Sequence, residues 1–199
     1  MSGGILVTGF EPFGGDARNP SGEAALALDG DLIGGRPVRG VVLPCVFETA
    51  PRALQAAIEA LRPELVLCLG LAASRHGFHF ERVAINLIDA RITDNAGAQP
   101  VDHPVAAGAP PAAFTSLPVK AMAAAVRAAG LDAVVSYTAG TFVCNQVFFA
   151  LMQLPVARGG FLHLGGDLDT PSVVAGTRIA LAAAVDRQGD LGTSAGRVD

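Results

Sequence analysis

Apolar positions fall into two patterns along the chain: short continuous runs, and longer Ala-rich stretches with apolar residues at helical spacing. The short runs predict strands. Ile5–Thr8 is the first and leads into a glycine-rich turn, Gly9–Gly15. Val38–Leu43 ends at Pro44, and Leu65–Leu69 (LVLCL) ends at Gly70, the continuous run of a strand buried on both faces. Val83–Ile88, Ala133–Tyr137 and Gly160–Leu164 complete the predicted strands. A helix is predicted over Ser21–Leu28, with Ser21 as N-cap and Glu23 in the first turn. Ala50–Leu61 follows, with Pro51 in its first turn and Pro63 beyond its end. Leu117–Ala129 is closed by Gly130, and Asn145–Leu154 and Val173–Asp186 are the last two helices. The polar tail from Gln188 is expected to fray.

Strands and helices alternate without internal repeat. The pattern predicts an α/β protein: a single-domain α/β/α sandwich over residues 1–199, with helices on both faces of a mixed, mostly parallel twisted sheet. In such sheets ligands gather at the carboxyl ends of strands, so post-strand residues carry the chemical interest.

Composition narrows the classes. Hydrophobic residues are 51% and charged residues 16% of the chain, which excludes general disorder. The 24 glycines and 13 prolines have no period, which excludes a collagen-like chain. A mean hydropathy of +0.44 invites a membrane reading. That reading fails because no stretch of about 18 apolar residues is free of charges or Pro and Gly clusters. With a net charge of −4 and no Lys/Arg cluster, neither nucleic acid nor an anionic membrane is expected as partner. The three cysteines are odd in number and sit in unrelated contexts, and the N-terminus has no basic, apolar leader. A disulfide scaffold is therefore not expected, and a reducing cytoplasm is the expected compartment.

One cysteine stands apart. Cys144, in Ser136-Tyr137-Thr138-Ala139-Gly140-Thr141-Phe142-Val143-Cys144-Asn145, follows a strand and a glycine turn and lies at a predicted helix N-terminus. There the dipole and free N–H groups favour a thiolate and can stabilise an oxyanion. A buried structural cysteine fits the same spacing. Cys68, inside an apolar strand, and Cys45, after Pro44, read as packing residues. A catalytic thiol needs a base. His76, His79 and His103 read as loop histidines, and the His76/His79 pair lacks a third metal ligand at suitable spacing. His163, near the end of the strand Gly160–Leu164, shares the expected carboxyl edge with Cys144, although a core histidine would look the same. Glu81 precedes the predicted strand Val83–Ile88. It orients a base there only if that strand runs antiparallel or its loop folds over; otherwise it is a surface carboxylate beside Arg82.

The segments ILVTGFEPFGG with Asn19-Pro20-Ser21, ERVAINLIDARI, LPVKAM, SYTAGTFVCN and RGGFLH occur in this order through residues 4–164. Together they resemble the pyroglutamyl peptidase type I family of cysteine peptidases. The resemblance implies an α/β/α exopeptidase that removes N-terminal pyroglutamate from peptides without metal or organic cofactor. It implies Cys144 as nucleophile, His163 as base and then acid, and Glu81 as the group orienting His163. Arg91 matches an arginine near the oxyanion site, with a salt bridge to Asp89 or Asp94 as the other reading. Phe10, Phe13, Phe142 and Val143 match the family's hydrophobic pocket. Leu71 stands where many members have Gln, so any lactam contact there uses its backbone. Thr93 replaces a common Pro, and the segment after His163 is shorter than usual, in a region members use for subunit contacts; members often form tetramers, so a homo-oligomer is expected.

Other readings remain at this point: a cysteine amidohydrolase of another small cyclic or amide substrate, or a non-catalytic binding protein. A nucleoside phosphorylase is disfavoured because Gly9–Gly15 carries Glu11 and no Lys or Arg for phosphate.

Overall fold

A computed structural model describes residues 3–196. In chain order the elements are β1 (Ile5–Phe10), α1 (Pro20–Ala27), β2 (Leu32–Ile33), β3 (Arg36–Leu43), α2 (Ala50–Leu61), β4 (Leu65–Ala72), β5 (Phe78–Glu81), β6 (Val83–Ile85), β7 (Ala112–Phe114), α3 (Val119–Ala128), β8 (Ala133–Ser136), α4 (Val143–Gln153), β9 (Arg158–Gly165) and α5 (Thr170–Val185). The α/β sandwich expected from the sequence is present. A seven-stranded sheet has the order β2-β3-β1-β4-β9-β5-β8, and β6 pairs with β7 in a separate ribbon. Strands β3, β1, β4 and β9 run parallel; β2 is antiparallel to β3, and β5 is antiparallel to β9 while parallel to β8.

Strand alternation distributes the core between two faces. Ile5, Val7, Leu65, Leu67 and Leu69 pack under α1, α3 and α5, while Leu6, Val66 and Cys68 pack under α2 and α4. Both faces of the central strands are covered, which is why they read as unbroken apolar runs. Among the described residues no helix is long and apolar enough to cross a membrane.

Several boundaries differ from expectation. The cap of α1 is Asn19, whose side chain accepts from the Ser21 N–H at 3.1 Å; Ser21 lies inside the helix and its hydroxyl accepts from Phe10 N–H. His79, expected in a loop, lies in β5, Phe78–Glu81. The predicted strand Val83–Ile88 ends at Ile85, because Asn86 turns aside and bonds the backbone of Ala106 and Ala109. The tail is docked rather than frayed over part of its length. Asp190 accepts from the N–H groups of Lys120 and Ala121. It thereby supplies the capping that Pro118 cannot give α3. Lys120 Nζ holds the Thr193 carbonyl at 2.7 Å. The end of that tail, 197–199, lies outside the described residues.

Candidate active site

The site is assembled from segments that follow several strands. After β1, Phe10 and Phe13 approach a small cavity; after β3 comes Cys45, and at the end of β4 comes Leu71. Glu11 binds these segments together. Its carboxylate accepts from Cys45 N–H at 3.0 Å and Asn95 Nδ2 at 2.8 Å, while its carbonyl accepts from Asn19 Nδ2. Asp94 ties the 89–98 segment to the same region by accepting from the N–H groups of Phe47, Ala96 and Ala98. The cavity has a volume of about 280 Å³ and is walled by Phe10, Phe13, Ile92 and Phe142, with Cys144 and His163 in its lining. Phe142 packs edge-on against Phe47 at 5.1 Å between ring centroids and lies 6.3 Å from Phe13.

Cys144 reaches this cavity by a different route from the one expected. Strand β8 runs opposite to β9, so its own carboxyl end does not coincide with that of His163. The connection 137–142 carries the chain across, turning at Gly140 with φ +75°. Helix α4 then starts at Val143, two residues earlier than expected, so Cys144 lies in its first turn. No side chain caps this helix, which leaves first-turn N–H groups without a side-chain partner. The neighbouring Asn145 is fully buried and pins the helix to the β6 segment. Its Oδ1 accepts from Ile85 N–H at 3.0 Å, and its Nδ2 donates to the carbonyls of Ile85 and Leu87 at 2.9 and 3.0 Å. Across the sheet, Cys144 Sγ lies against Gly70 of β4, which registers with His163 on β9.

His163 and Glu81 are both buried, and Nδ1 of the imidazole meets Glu81 Oε1 at 2.8 Å. A carboxylate accepts only, so Nδ1 carries the proton and Nε2 is left as the basic nitrogen. Glu81 ends β5, and the antiparallel run of β5 beside β9 brings it behind His163 rather than into the cavity. The Phe161 ring, 4.8 Å from the imidazole between centroids, packs against it. Arg75, a residue without a role in the sequence reading, donates to the same Glu81 oxygen at 2.8 Å. His79 registers directly opposite His163. Burial holds its imidazole below its ordinary value, partly offset by the bond of Nε2 to the His76 carbonyl.

Burial dominates the thiols. It raises the Cys144 thiol well above its ordinary range, with Cys45, Glu81 and Cys68 adding and Arg75 opposing. Burial thus opposes the thiolate that the helix N-terminus alone favours. Cys68 is pushed up to about 12 by burial in β4, and Cys45 to about 12 by burial and then by Glu11 and Asp94. Cys45, read as packing, also forms part of the cavity wall.

The structure therefore brings Phe10, Phe13, Leu71, Arg91, Phe142, Cys144 and His163 to one cavity, with Glu81 behind it. Val143 is not in the wall; it is fully buried in the apolar layer under α4. Arg91 is exposed at the cavity, and Asp94 spends its oxygens on backbone N–H groups. Asp89, Ala139, Gly140 and Thr141 also line the cavity and were not singled out by sequence. Among the described residues no group of three or more His, Cys, Asp or Glu side chains is arranged to hold a metal ion.

A thiol at a helix N-terminus, beside an imidazole held by a buried carboxylate on an α/β sandwich, is the apparatus of a cysteine hydrolase. The pyroglutamyl peptidase family profile matches residues 4–182. The pyrrolidone-carboxylate peptidase of Cupriavidus necator is 44% identical over 98% of this chain and 98% of its own. The crystal structure of pyroglutamyl peptidase I from Bacillus amyloliquefaciens superposes with a TM-score of 0.94 at 38% identity, covering 98% of this chain and 100% of that one. The pyrrolidone carboxyl peptidase of Thermococcus litoralis gives a TM-score of 0.90 at 34% identity over 92% and 94% of the two chains. The chain belongs to the pyroglutamyl peptidase family.

Proposed function

We propose that this protein is a cysteine exopeptidase that releases N-terminal pyroglutamate from peptides through a thioester acyl-enzyme. The observation that carries the reading is the buried 2.8 Å Glu81–His163 bond beside a thiol in a phenylalanine-walled cavity. Because Nδ1 is committed to Glu81, Nε2 of His163 takes the Cys144 proton as the sulfur attacks the pyroglutamyl carbonyl. The uncapped first turn of α4 supplies N–H groups for the oxyanion. The imidazolium then gives its proton to the departing amine. In the second half His163 takes a proton from water, the hydroxide oxygen attacks the thioester, and the thiol is restored. Arg91 at the cavity is assigned to support of the developing charge.

The cavity favours a lactam end over a free amino end. Pyroglutamate is a compact neutral ring with two apolar faces, suited to Phe10, Phe13 and Phe142. A free α-ammonium would lose part of its hydration against these rings, a cost the neutral lactam does not carry. The volume is at the small end for ligand sites, consistent with one ring entering while the rest of the peptide stays outside. Three free cysteines fit a cytoplasmic setting.

Hydrolysis of a chromogenic pyroglutamyl amide, with prolyl and leucyl amides as controls, tests this reading. Turnover of the pyroglutamyl amide alone, abolished in Cys144→Ala, is expected. Activity surviving that substitution, or preference for a control, overturns it.

A further inference from the structure

Arg75, in the connection between β4 and β5, touches every part of the candidate triad's framework. Its Nη1 donates to Glu81 Oε1 at 2.8 Å, the same oxygen that accepts from His163 Nδ1 at 2.8 Å. Its Nη2 donates to the Thr138 carbonyl at 3.0 Å, in the segment that delivers Cys144, and Nη1 lies 3.4 Å from the Ser136 hydroxyl. The Arg75 carbonyl accepts from Gly166 N–H at 3.0 Å, just beyond β9 and its His163. Glu81 is fully buried and its Oε2 has no hydrogen-bond partner, so Oε1 carries both contacts.

We propose that Arg75 is a positioning residue for the reaction. It keeps Glu81 a carboxylate and, through one guanidinium, fixes the segment bearing the thiol against the strand bearing the imidazole. The inference rests on the cysteine-peptidase reading above. A buried carboxylate is costly unless paired with charge and hydrogen bonds. Arg75 is then the cation facing Glu81. Without that charge a buried carboxyl is held better as the neutral acid, which donates to Nδ1 instead of accepting. The imidazole proton then moves to Nε2, the nitrogen that must receive the Cys144 proton. The planar fork matters because one head group reaches a carboxylate and a carbonyl at once.

The other titratable or charged groups near the pair are His79 on β5, Cys144 on α4, and His76 and Asp167 at the mouth of the same connection. Burial disfavours the charged form of His79, which makes it a poorer counter-charge than Arg75.

The experiment compares wild type with Arg75→Ala, Arg75→Gln and Arg75→Lys, each checked for folding by circular dichroism and melting. On the pyroglutamyl amide, Arg75→Ala is expected to lose about tenfold or more in kcat with KM changed by less than about threefold. The acid limb of kcat/KM is expected to move up by about one pH unit in Ala and Gln. Lys, which keeps the charge but not the fork, is expected to return the limb towards wild type while leaving kcat low. Millimolar guanidinium chloride is expected to raise kcat of Arg75→Ala, and sodium chloride is not. The pH dependence of Cys144 alkylation by iodoacetamide reads the same shift without substrate. A wild type that ignores the pyroglutamyl amide overturns the substrate reading, and the alkylation limb still decides the role of Arg75. Wild-type limbs in both assays for Ala and Gln, with activity following melting temperature alone, overturn the proposal. If Arg75→Ala does not fold, Arg75→Gln decides it by the same two limbs.

Discussion

Gly70 and Cys144 meet where Gly70 lacks a side chain: a Cβ there would stand 2.8 Å from Cys144 Sγ and 2.8 Å from the tip of the Phe161 ring. Phe161 is buried and also packs on His163, so the strain falls on the Cys144 sulfur, which borders the cavity. Gly70→Ala is therefore expected to displace the sulfur relative to the imidazole while leaving the cavity wall in place. Misplacement of about 1 Å costs on the order of 10² in rate. The expected outcome is a fall in kcat of about ten- to a hundredfold with KM little changed, measured by steady-state kinetics on a sample with unaltered circular dichroism. Wild-type kcat would mean that the thiol does not work from this position.

Asn145 gives a prediction about stability. Its buried amide pairs with one N–H and two carbonyls of the segment Ile85–Leu87. A buried group left unpaired costs about 1–3 kcal/mol, so Asn145→Ala is expected to lose on the order of 3 kcal/mol in urea unfolding. Activity should fall as well, because Asp89, Arg91 and Ile92 continue from that segment into the cavity wall. A loss below about 1 kcal/mol would indicate that water enters and replaces the amide.

Much of the fold was legible because local chemistry and tertiary role agree. Helix α2 matches its predicted span, Ala50–Leu61, since Pro51 and Pro63 mark its two ends. The unbroken apolar run at Leu65–Leu69 also became the doubly covered centre of the sheet. Strand β5 was hidden for the opposite reason. Phe78-His79-Phe80-Glu81 alternates as a strand should, yet its polar members serve the site, so the stretch resembles a polar loop. Glu81 closes β5, whose antiparallel run beside β9 carries it to His163 without help from β6. Cys144 stands out by its strand–turn–helix setting and His163 by its place near a strand end, although the carboxyl end of β8 is not the edge that joins them; Arg75 does not stand out. Nothing local distinguishes it from a solvated arginine, and the partners of its side chain lie 6 to 63 residues away in sequence.

Glu23 links α1 to the start of α5 by accepting from Arg18 and from the Thr170 hydroxyl. Those bonds lower its carboxyl from 4.5 to about 2, the Arg18 bond contributing most and the Thr170 bond next. A depressed folded-state value means that its stabilisation is present above the unfolded value of 4.5 and disappears as pH falls through about 2. The group is accessible to solvent, which limits the effect to below about 1 kcal/mol. Glu23→Gln is thus expected to be slightly less stable than wild type at neutral pH, with the difference closing between the two values. A difference that persists unchanged at the acid end would assign the effect to packing instead.

The Cys144 thiol yields the sharpest pH prediction. Burial raises it, so at neutral pH the sulfur is protonated unless a base removes the proton. In the proposed mechanism that base is His163, whose Nε2 is left available by the Nδ1–Glu81 bond. In His163→Ala the thiolate forms only by direct ionisation, and its fraction below a raised value grows about tenfold per pH unit. The logarithm of the iodoacetamide alkylation rate in that variant is therefore expected to climb with unit slope from about pH 6 to 9 without levelling. Wild type should react faster near neutrality, by about 10²-fold or more, and level off once the base is available. Mass spectrometry of the modified peptide assigns the site, which matters because Cys45 shares the cavity. A plateau near neutral pH in His163→Ala would mean that the helix N-terminus alone ionises the sulfur, and the general-base role of His163 would fall.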